Sequence, residues 1–334
     1  MVRFADILKN SQKHDKSQSD SGAKPENNSI IEERVSLKIS AKLYEEALDL
    51  AKNIFREDLI PASIDVRKIT IELEKLIGAL EQDTQDLLTL AYIRDSYSTD
   101  KNYLTAHSLN TCIYSLILGI SLGYDKNQLL ELGLASFLHD LGLVKHSTLI
   151  NKPDQITKEE RNIIKNHPLE GMDVITKLSW HLPKAVVEAL VQHHERIDGT
   201  GYPKGLHRDT INQYAKIISL VDVYEAMTHC RSFREEHVPF DTIKHILENK
   251  ASFEYKLMKL LIERIGIFPV GSLVELSNKE IGEVIRANPQ TPIRPVIRII
   301  YDSDGNVPKT NETVDLSKDQ NISIKRGIKR RGTG

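Results

Sequence analysis

Residues 130–142 read LELGLASFLHDLG, and this stretch decides the fold class. The part up to Leu138 is apolar on almost every face, which is typical of a helix buried on all sides. The helix ends in the polar pair His139-Asp140, and Gly142 follows. A buried carboxylate is costly unless a cation or a metal ion compensates its charge. The sequence therefore predicts a mainly helical protein in which Asp140 is buried and has a cationic partner.

A second carboxylate lies in a similar environment. Asp222 falls in the segment 212–228, on one helical stripe with three apolar residues, Ala215, Ile218 and Ala226. By the same argument Asp222 also needs a cationic partner.

Five histidines are candidates to supply these partners: His107, His139, His167, His193 and His194. Taken singly, a histidine is more often a hydrogen-bonded structural residue than a ligand, and His139-Asp140 alone is compatible with an imidazole that meets a helix dipole. The five histidines and both aspartates, however, lie within one segment of about the length of a domain. Together they predict a ligand set for two metal ions.

The donor types narrow the choice of metal. Imidazole and carboxylate groups without thiolates suit iron, manganese, zinc or nickel, whereas magnesium and calcium sites are mostly built from oxygen. Cys112 and Cys230 are not at metal-ligand spacing, so we assign them no role and expect small buried side chains. Cysteines without disulfide spacing also agree with a reducing compartment.

The motifs around these residues resemble those of the HD-GYP family, the bacterial branch of the HD phosphohydrolases, over about half of the chain. The resemblance rests on the first-histidine segment 103–110, on His139-Asp140, on HHERIDGTGYP at 193–203, and on VDVYEAM at 221–227. It implies an HD-domain helical bundle. It also implies that a metal-bridged hydroxide hydrolyses the second messenger cyclic di-GMP to linear pGpG or to GMP.

The family pattern implies two ligand sets that share one carboxylate, namely His107, His139, Asp140 and Asp222 in the first and Asp140, His167, His193 and His194 in the second. Asp140 is thus the central catalytic residue. Some family members hold a third metal through a glutamate one helical turn before the first histidine, where this chain has Tyr103. We therefore expect two divalent transition-metal ions, iron or manganese. Glu170 and Glu195 are candidates to accept hydrogen bonds from the ligand histidines.

One position departs from the family pattern. The family usually reads H-D-x-G-K, with the lysine directed at the substrate phosphates, whereas this chain has Leu143. Lys145 or His146, just beyond, is the candidate to replace that lysine through a shifted loop. The alternative is weaker substrate binding.

The loop at 199–203 has two interpretations. Glycines and a Tyr-Pro step form a turn on local grounds alone. The resemblance instead implies that this loop borders the active site, that Tyr202 contacts the substrate, and that signalling proteins bind there. Arg231 and Arg234 also resemble substrate contacts, because guanidinium groups suit phosphate and stack on guanine. Exposed arginines at a helix end are the plain alternative.

The remaining sequence predicts four regions: a flexible tail at 1–33, an N-terminal helical region at 34–100, the HD-GYP phosphohydrolase domain at 101–267, and a small antiparallel β module with a basic, solvated tail at 268–334. Strands are expected at 272–277, 282–286 and 296–301. We expect the N-terminal helices to pack onto the metal domain, with pairing in a homodimer as the alternative.

Composition limits the class of function. The chain has 334 residues, 40% hydrophobic and 28% charged, as in ordinary soluble proteins. A net charge of −2 argues against binding of a nucleic-acid polymer. The longest apolar stretch, 113–122, is too short to span a bilayer. We therefore expect a cytoplasmic protein without membrane association.

Two alternative functions stay open. One is an HD-type phosphohydrolase for another cyclic dinucleotide or nucleotide, which the loop at 199–203 argues against. The other is a catalytically weak nucleotide-binding signalling module, which Leu143 keeps in consideration.

Overall fold

The computed structural model describes residues 26–93, 103–152, 154–178, 181–229, 238–288, 290–308, 310 and 312–329. By its contacts the chain divides into two units, Met1–Ile39 and Ser40–Gly334. The first unit contributes the described start of helix α1, and the second carries the remaining elements.

The described α-helices are, in chain order, α1 (Glu26–Ile54), α2 (Val66–Gln82), α3 (Gln85–Ile93), α4 (Tyr103–Ser121), α5 (Lys126–Leu138), α6 (Ser147–Ile150), α7 (Lys158–Ile164), α8 (His167–Ile175), α9 (Lys184–Gln192), α10 (Gln213–Thr228), α11 (Pro239–Glu248) and α12 (Tyr255–Arg264). Short 3₁₀ helices cover Pro61–Ser63, Leu141–His146, Arg208–Thr210 and Lys250–Ser252. The prediction of a mainly helical protein is confirmed.

Helix α4 lies at the centre of the helical part and is buried from Leu104 to Gly119. It packs against α3, α5, α10 and α12, and α9 packs against α5 and α10. A capping box of Asp125 and Gln128 begins α5, whose end delivers His139-Asp140 to the interior. This arrangement brings the ends of α5 and α9 close to the sides of α4 and α10.

Helix α1 begins at Glu26, within the segment 1–33 that the sequence predicts to be a flexible tail. Residues 26–33 read ENNSIIEE, and the glutamates among them are good helix formers. Residues 1–25 lie outside the described part of the chain.

The C-terminal β module is an antiparallel sheet of strands β1 (Leu273–Leu276), β2 (Ile281–Arg286), β3 (Val296–Tyr301), β4 (Thr313–Asp315) and β5 (Ile324–Ile328). The strand order is β4-β3-β2-β1-β5. Its core contains Val274, Val284 and Ile297, which alternate with more exposed residues along their strands. The three predicted strands are confirmed within one residue at each end.

The basic end of the chain is exposed at Lys325 and Arg326, as predicted, but residues 324–328 are also part of the sheet. These residues form β5, which pairs with β1. Lys325 and Arg326 both pair with Glu275 across that strand pair, at 2.7 and 2.6 Å. Part of the basic charge is therefore paired with a carboxylate on the neighbouring strand.

In the described part of the chain, no helix combines the length and the apolar character needed to cross a bilayer.

Candidate metal centre

Asp140 lies between two groups of histidines, with one carboxylate oxygen directed at each group. Its Oδ2 is 3.3 Å from Nε2 of His107 and 3.3 Å from Nε2 of His139. Its Oδ1 is 3.2 Å from Nε2 of His167 and 3.7 Å from Nε2 of His193. We call His107 and His139 the first half of the cluster. His167, His193 and the adjacent His194 form the second half.

Asp222, on α10, faces both halves. Its Oδ1 is 3.3 Å from Nε2 of His107, and its Oδ2 is 3.6 Å from Nδ1 of His194. The ligand atoms of His107, His139 and Asp140 all lie within 4.8 Å of one another, as do those of Asp140, His167, His193 and His194. All seven predicted ligand residues thus converge, although they come from widely separated segments. Six of them are buried, and His194 is partly exposed.

Three of the histidines are oriented by their own local backbone. Nδ1 of His139, His167 and His193 contacts the carbonyl oxygen three residues earlier, at 2.8, 2.8 and 2.7 Å. A carbonyl only accepts, so Nδ1 carries a proton and Nε2 is the ring atom directed at Asp140. Nε2 donates to Asp140 when the ring is protonated and can bind a metal ion when the ring is neutral. Two of these histidines directly follow a helix, and His167 begins one. At helix ends the local carbonyls are free for such contacts.

His107 is held differently, because it lies inside α4. Its Nδ1 contacts Oε2 of Glu225, a fully buried residue of α10. Glu225 follows Asp222 by three residues, so both carboxylates lie on the same side of α10. The sequence reasoning assigned Glu225 no role. A second buried carboxylate one helical turn after Asp222 was the signal that could have identified it.

The two glutamates expected to support the histidines have other partners. Glu195 accepts hydrogen bonds from the backbone N–H groups of Lys204 and Leu206, at 2.7 and 2.8 Å. Glu170 pairs with Nε2 of His146 at 2.5 Å. Backbone carbonyls and Glu225 take the expected role instead. The prediction for Glu195 was wrong because proximity in sequence to His194 does not determine where its side chain points.

The electrostatics of the first half favour cations. Burial alone would raise the pKa of Asp140, but the charge of His139 and hydrogen bonds from the histidines hold that pKa well below its usual range. Burial lowers the pKa of His107, yet the neighbouring Glu225 carboxylate raises it, and the balance lies well above the ordinary value. The pKa of His139 is also raised, because the Asp140 charge outweighs burial.

The second half has the opposite bias. Burial lowers the pKa of His193 to about 4, with the charge of His139 acting in the same direction. Burial and the charge of His193 place the pKa of His194 well below its ordinary value. These rings are neutral at pH 7, which is the form that binds metal ions.

The donor set fits divalent metal ions. Nε2 of His107 and Nε2 of His139 are 3.3 Å apart, and Nε2 of His167 and Nε2 of His193 are 3.1 Å apart. When the rings are neutral, lone pairs face each other and face carboxylate oxygens in a buried site. This arrangement is repulsive until a cation lies between the groups, and nitrogen with oxygen donors suits a divalent transition metal.

Gly142 allows the two halves to approach. A Cβ atom at this position would lie 2.0 Å from the carbonyl oxygen of His167 and 2.7 Å from the backbone nitrogen of Gly171. The turn after Asp140 therefore packs directly on the backbone of α8. Only glycine permits this contact without moving His167.

The residues predicted to bind substrate lie around the second half or outside the described residues. The Tyr202 ring stacks on His194, with ring centroids 4.6 Å apart, and Nζ of Lys165 lies 5.4 Å from the Tyr202 centroid. Lys145 is exposed, and Leu143 is buried. Arg231 and Arg234, like Cys230, lie outside the described part, whereas Cys112 is buried as expected. At the first half, Tyr103 stacks on His107 with centroids 5.2 Å apart.

Comparison with known proteins agrees with this geometry. The family model described as HD domain matches residues 96–256, and the model described as KOW domain associated with HD domain matches residues 273–332. A solved structure, Bd1817 of Bdellovibrio bacteriovorus, titled an HDG"Y"P protein, aligns with a TM-score of 0.55 at 20% identity. The alignment covers 77% of each chain and shows a shared fold.

Curated relatives extend the similarity. The chain is 27% identical to cyclic di-GMP phosphodiesterase PA4108 of Pseudomonas aeruginosa, over 80% of this chain and 63% of the relative. It is 29% identical to cyclic di-GMP phosphodiesterase PdeB of Borreliella burgdorferi, over 69% of this chain and 60% of the relative. The 3'3'-cGAMP-specific phosphodiesterase 3 of Vibrio cholerae is 29% identical over 44% of this chain and 31% of its own. The chain thus spans less than two thirds of the length of these relatives. In its cluster, its fold and its domain matches, the chain is similar to HD-domain proteins.

Proposed function

We propose that this protein hydrolyses cyclic di-GMP to linear pGpG or to GMP at a site for two divalent metal ions. The observation that carries the proposal is the position of Asp140, whose two carboxylate oxygens face two separate groups of imidazole nitrogens. The names of the similar proteins PA4108 and PdeB support the substrate. Iron and manganese are the proposed metals, because the donors combine imidazole and carboxylate without thiolate.

The proposed ligands follow the two halves. His107, His139 and Asp222 would hold the first ion, His167, His193 and His194 the second, and Asp140 would bridge both. When bound, such a pair of ions supplies an activated water and neutralises charge on the phosphodiester oxygens. Asp222 Oδ2 is also 3.6 Å from His194 Nδ1, so this carboxylate helps to set the spacing between the halves.

The Tyr202 ring is proposed to border the bound substrate. It covers one face of His194, and the Glu195 carboxylate fixes the backbone of the loop that follows. Lys165 lies over the same tyrosine and precedes the ligand His167 by two residues. Lys145 and Lys165 are both exposed, and we propose Lys165 as the phosphate-binding cation in preference to Lys145 because Lys165 lies beside Tyr202. Arg231 and Arg234 remain proposed substrate contacts.

Other parts of the functional assignment also stay predictions. These are the domain boundaries, the cytoplasmic location, signalling partners at the loop 199–203, and a homodimer. The alternative substrate is another cyclic dinucleotide, and the names of the Vibrio cholerae relatives favour 3'3'-cGAMP among these.

The test is turnover by the metal-loaded chain. The protein is purified with manganese or iron under reducing, oxygen-poor conditions and offered cyclic di-GMP, 3'3'-cGAMP and cyclic di-AMP, with products separated by chromatography. We expect cyclic di-GMP to be hydrolysed fastest. Asp140→Ala should lower the rate by more than about 100-fold, since loss of an outer-shell partner alone typically costs 10–100-fold. The matched control is Asp173→Ala, which removes an exposed aspartate of α8.

Three results would contradict the proposal. Faster turnover of 3'3'-cGAMP would favour the alternative substrate. Tight binding of cyclic di-GMP without product would favour a signalling module. Equal rates for Asp140→Ala and Asp173→Ala would exclude the cluster as the reaction site.

A further inference from the structure

Glu225 connects the first half of the cluster to a buried hydrogen-bond network. One of its oxygens contacts Nδ1 of His107. The other accepts a hydrogen bond from the side-chain amide of Asn110 at 3.3 Å and lies 3.1 Å from Nδ1 of His229. All four side chains are at most 1% exposed. The orientation of the Glu225 carboxylate is therefore determined by neighbours on both oxygens.

The network continues into the N-terminal helices. The hydroxyl of Tyr44, on α1, donates to Oδ1 of Asn110 at 2.8 Å. Nε2 of His229 lies 3.2 Å from the carbonyl oxygen of Ala91, on α3. Tyr44 is 66 residues from Asn110 in sequence and is itself buried. A continuous path of buried polar contacts thus joins α1 and α3 to His107.

The contacts also determine the direction of the Asn110 amide. Its oxygen accepts from the Tyr44 hydroxyl, so its nitrogen is the group that donates to Glu225. Loss of the Tyr44 hydroxyl would leave this oxygen buried without its partner and would remove the reason for the present orientation. In a low-dielectric interior, loss of one hydrogen bond weakens the others in the same network, including the contact between Glu225 and His107.

We propose that α1 is part of the metal site: Tyr44 and Asn110 position Glu225, and Glu225 positions His107 for the first metal ion. The inference rests on the proposed metal site and deepens it. Tyr44, Asn110 and Glu225 are then positioning residues outside the ligand set. The affinity for the first ion would depend on the position of α1. In the second half, His167 and His193 are oriented by carbonyls of their own segments, so binding of the second ion should not depend on α1.

The test compares two tyrosine variants of the full chain. Tyr44→Phe removes the hydroxyl that begins the path. Tyr114→Phe is the matched control, because the Tyr114 hydroxyl is equally buried and has no hydrogen-bond partner in the described structure. Both metal-free variants are titrated with Mn²⁺, the affinity for each ion is measured calorimetrically, and the metal content is determined by elemental analysis. Thermal unfolding of the metal-free forms checks that both variants are folded.

We expect Tyr44→Phe to weaken binding of one ion by about 3–10-fold, the range for loss of one hydrogen bond in a buried network. Glu225→Gln should weaken the same ion by about 10–100-fold. Neither variant should change the second ion, and Tyr114→Phe should change neither. If Tyr44→Phe binds both ions like Tyr114→Phe, or weakens both ions equally, the inference is overturned.

A second measurement keeps the inference testable if Glu225→Gln does not fold. Coupling is reciprocal, so Mn²⁺ should slow amide hydrogen exchange in α1 around Tyr44, and Tyr44→Phe should reduce this protection. Unchanged protection would contradict the inference. Failure of the proposed function is a separate result. If the wild-type chain binds two ions and the variants show this pattern of affinities, but no cyclic dinucleotide is hydrolysed, the proposed activity is contradicted. The positioning roles are not.

Discussion

The two halves of the histidine cluster differ at His107, since His139 in the first half is held by a backbone carbonyl just as His167 and His193 are in the second. In the second half, His167 and His193 are each held by a backbone carbonyl three residues earlier. In the first half, His107 depends on Glu225, which lies 118 residues further along the chain. A ligand at a helix end takes its orientation from its own segment. A ligand inside a helix has no free carbonyl nearby and must take it from another helix.

The halves also differ in their affinity for protons. The pKa of His107 and the pKa of His139 are raised, because carboxylates surround these rings. The pKa values of His193 and His194 are lowered, because these rings are buried beside other imidazoles. Carboxylates therefore favour protonated rings in the first half, whereas burial favours neutral rings in the second half. Each prediction below acts on one side of this difference.

The largest effect is expected from a variant that separates the halves. Gly142→Ala places a methyl group against the backbone of His167 and Gly171, so α8 must move away from Asp140. We expect the affinity for the second ion to fall by at least about 10-fold, by analogy with loss of an orienting contact. The free energy of unfolding should fall by about 1–3 kcal/mol. Gly78→Ala is the control, since a Cβ there meets nothing within 4 Å. Retained affinity for both ions in Gly142→Ala would show that α8 adapts.

The next largest effect concerns pH. Below the raised pKa of His107 a proton must leave before metal binds, so affinity for the first ion should fall by up to about tenfold per pH unit. His193 has a pKa of about 4 and is still neutral at pH 5. Protonation of His193 should therefore weaken binding of the second ion only slightly in this pH range. Dialysis between pH 8 and 5, followed by elemental analysis, should show the first ion released at higher pH. Earlier release of the second ion would reverse the comparison.

A smaller effect is expected beside the second half. Glu195→Gln keeps one acceptor oxygen, so one of the N–H groups of Lys204 and Leu206 loses its partner. We expect a loss of about 1–3 kcal/mol in the stability of this loop. Both metal ions should remain, while KM for cyclic di-GMP rises as Tyr202 becomes less well positioned. Loss of metal in this variant would instead mean that Glu195 supports His194.

The smallest effect separates two lysines. Lys165→Ala should raise KM for cyclic di-GMP about 3-fold, which corresponds to a single exposed cation. Lys145→Ala, the matched control, should leave KM unchanged, and kcat should be unchanged in both. The opposite order would restore Lys145 as the substitute for the lysine that Leu143 replaces.

The residues that converge in the cluster could be predicted from the sequence, but the contacts that orient them could not. Asp140 and Asp222 stand out because a carboxylate in an apolar helical stripe needs compensation wherever the helix is placed. Glu225 is also a buried carboxylate that needs compensation. Its partner His107 lies on another helix, so the sequence alone does not reveal the pair. Glu195 illustrates the reverse case, since its neighbour in sequence is a ligand and its own contacts are with the loop.

The β module shows the same division. Strands β1 to β3 follow from segments that are rich in Val and Ile and are bounded by turns, which is a local pattern. Strand β5 carries Lys325, Arg326 and Gly327 and has no such pattern. It pairs with β1 through its backbone, Ile324 packs against the core of the module, and Lys325 and Arg326 pair with Glu275.

By itself, the sequence determined that the chain is mainly helical, that two aspartates are buried, and that imidazoles must compensate them, because these conclusions follow from the free energy of burying charge. Only the tertiary structure decided which oxygen of Asp140 faces which histidine, that Glu225 orients His107, and that Tyr44 is connected to the site. Those contacts join residues far apart in the chain, and side-chain direction at a helix crossing depends on packing that no local pattern encodes.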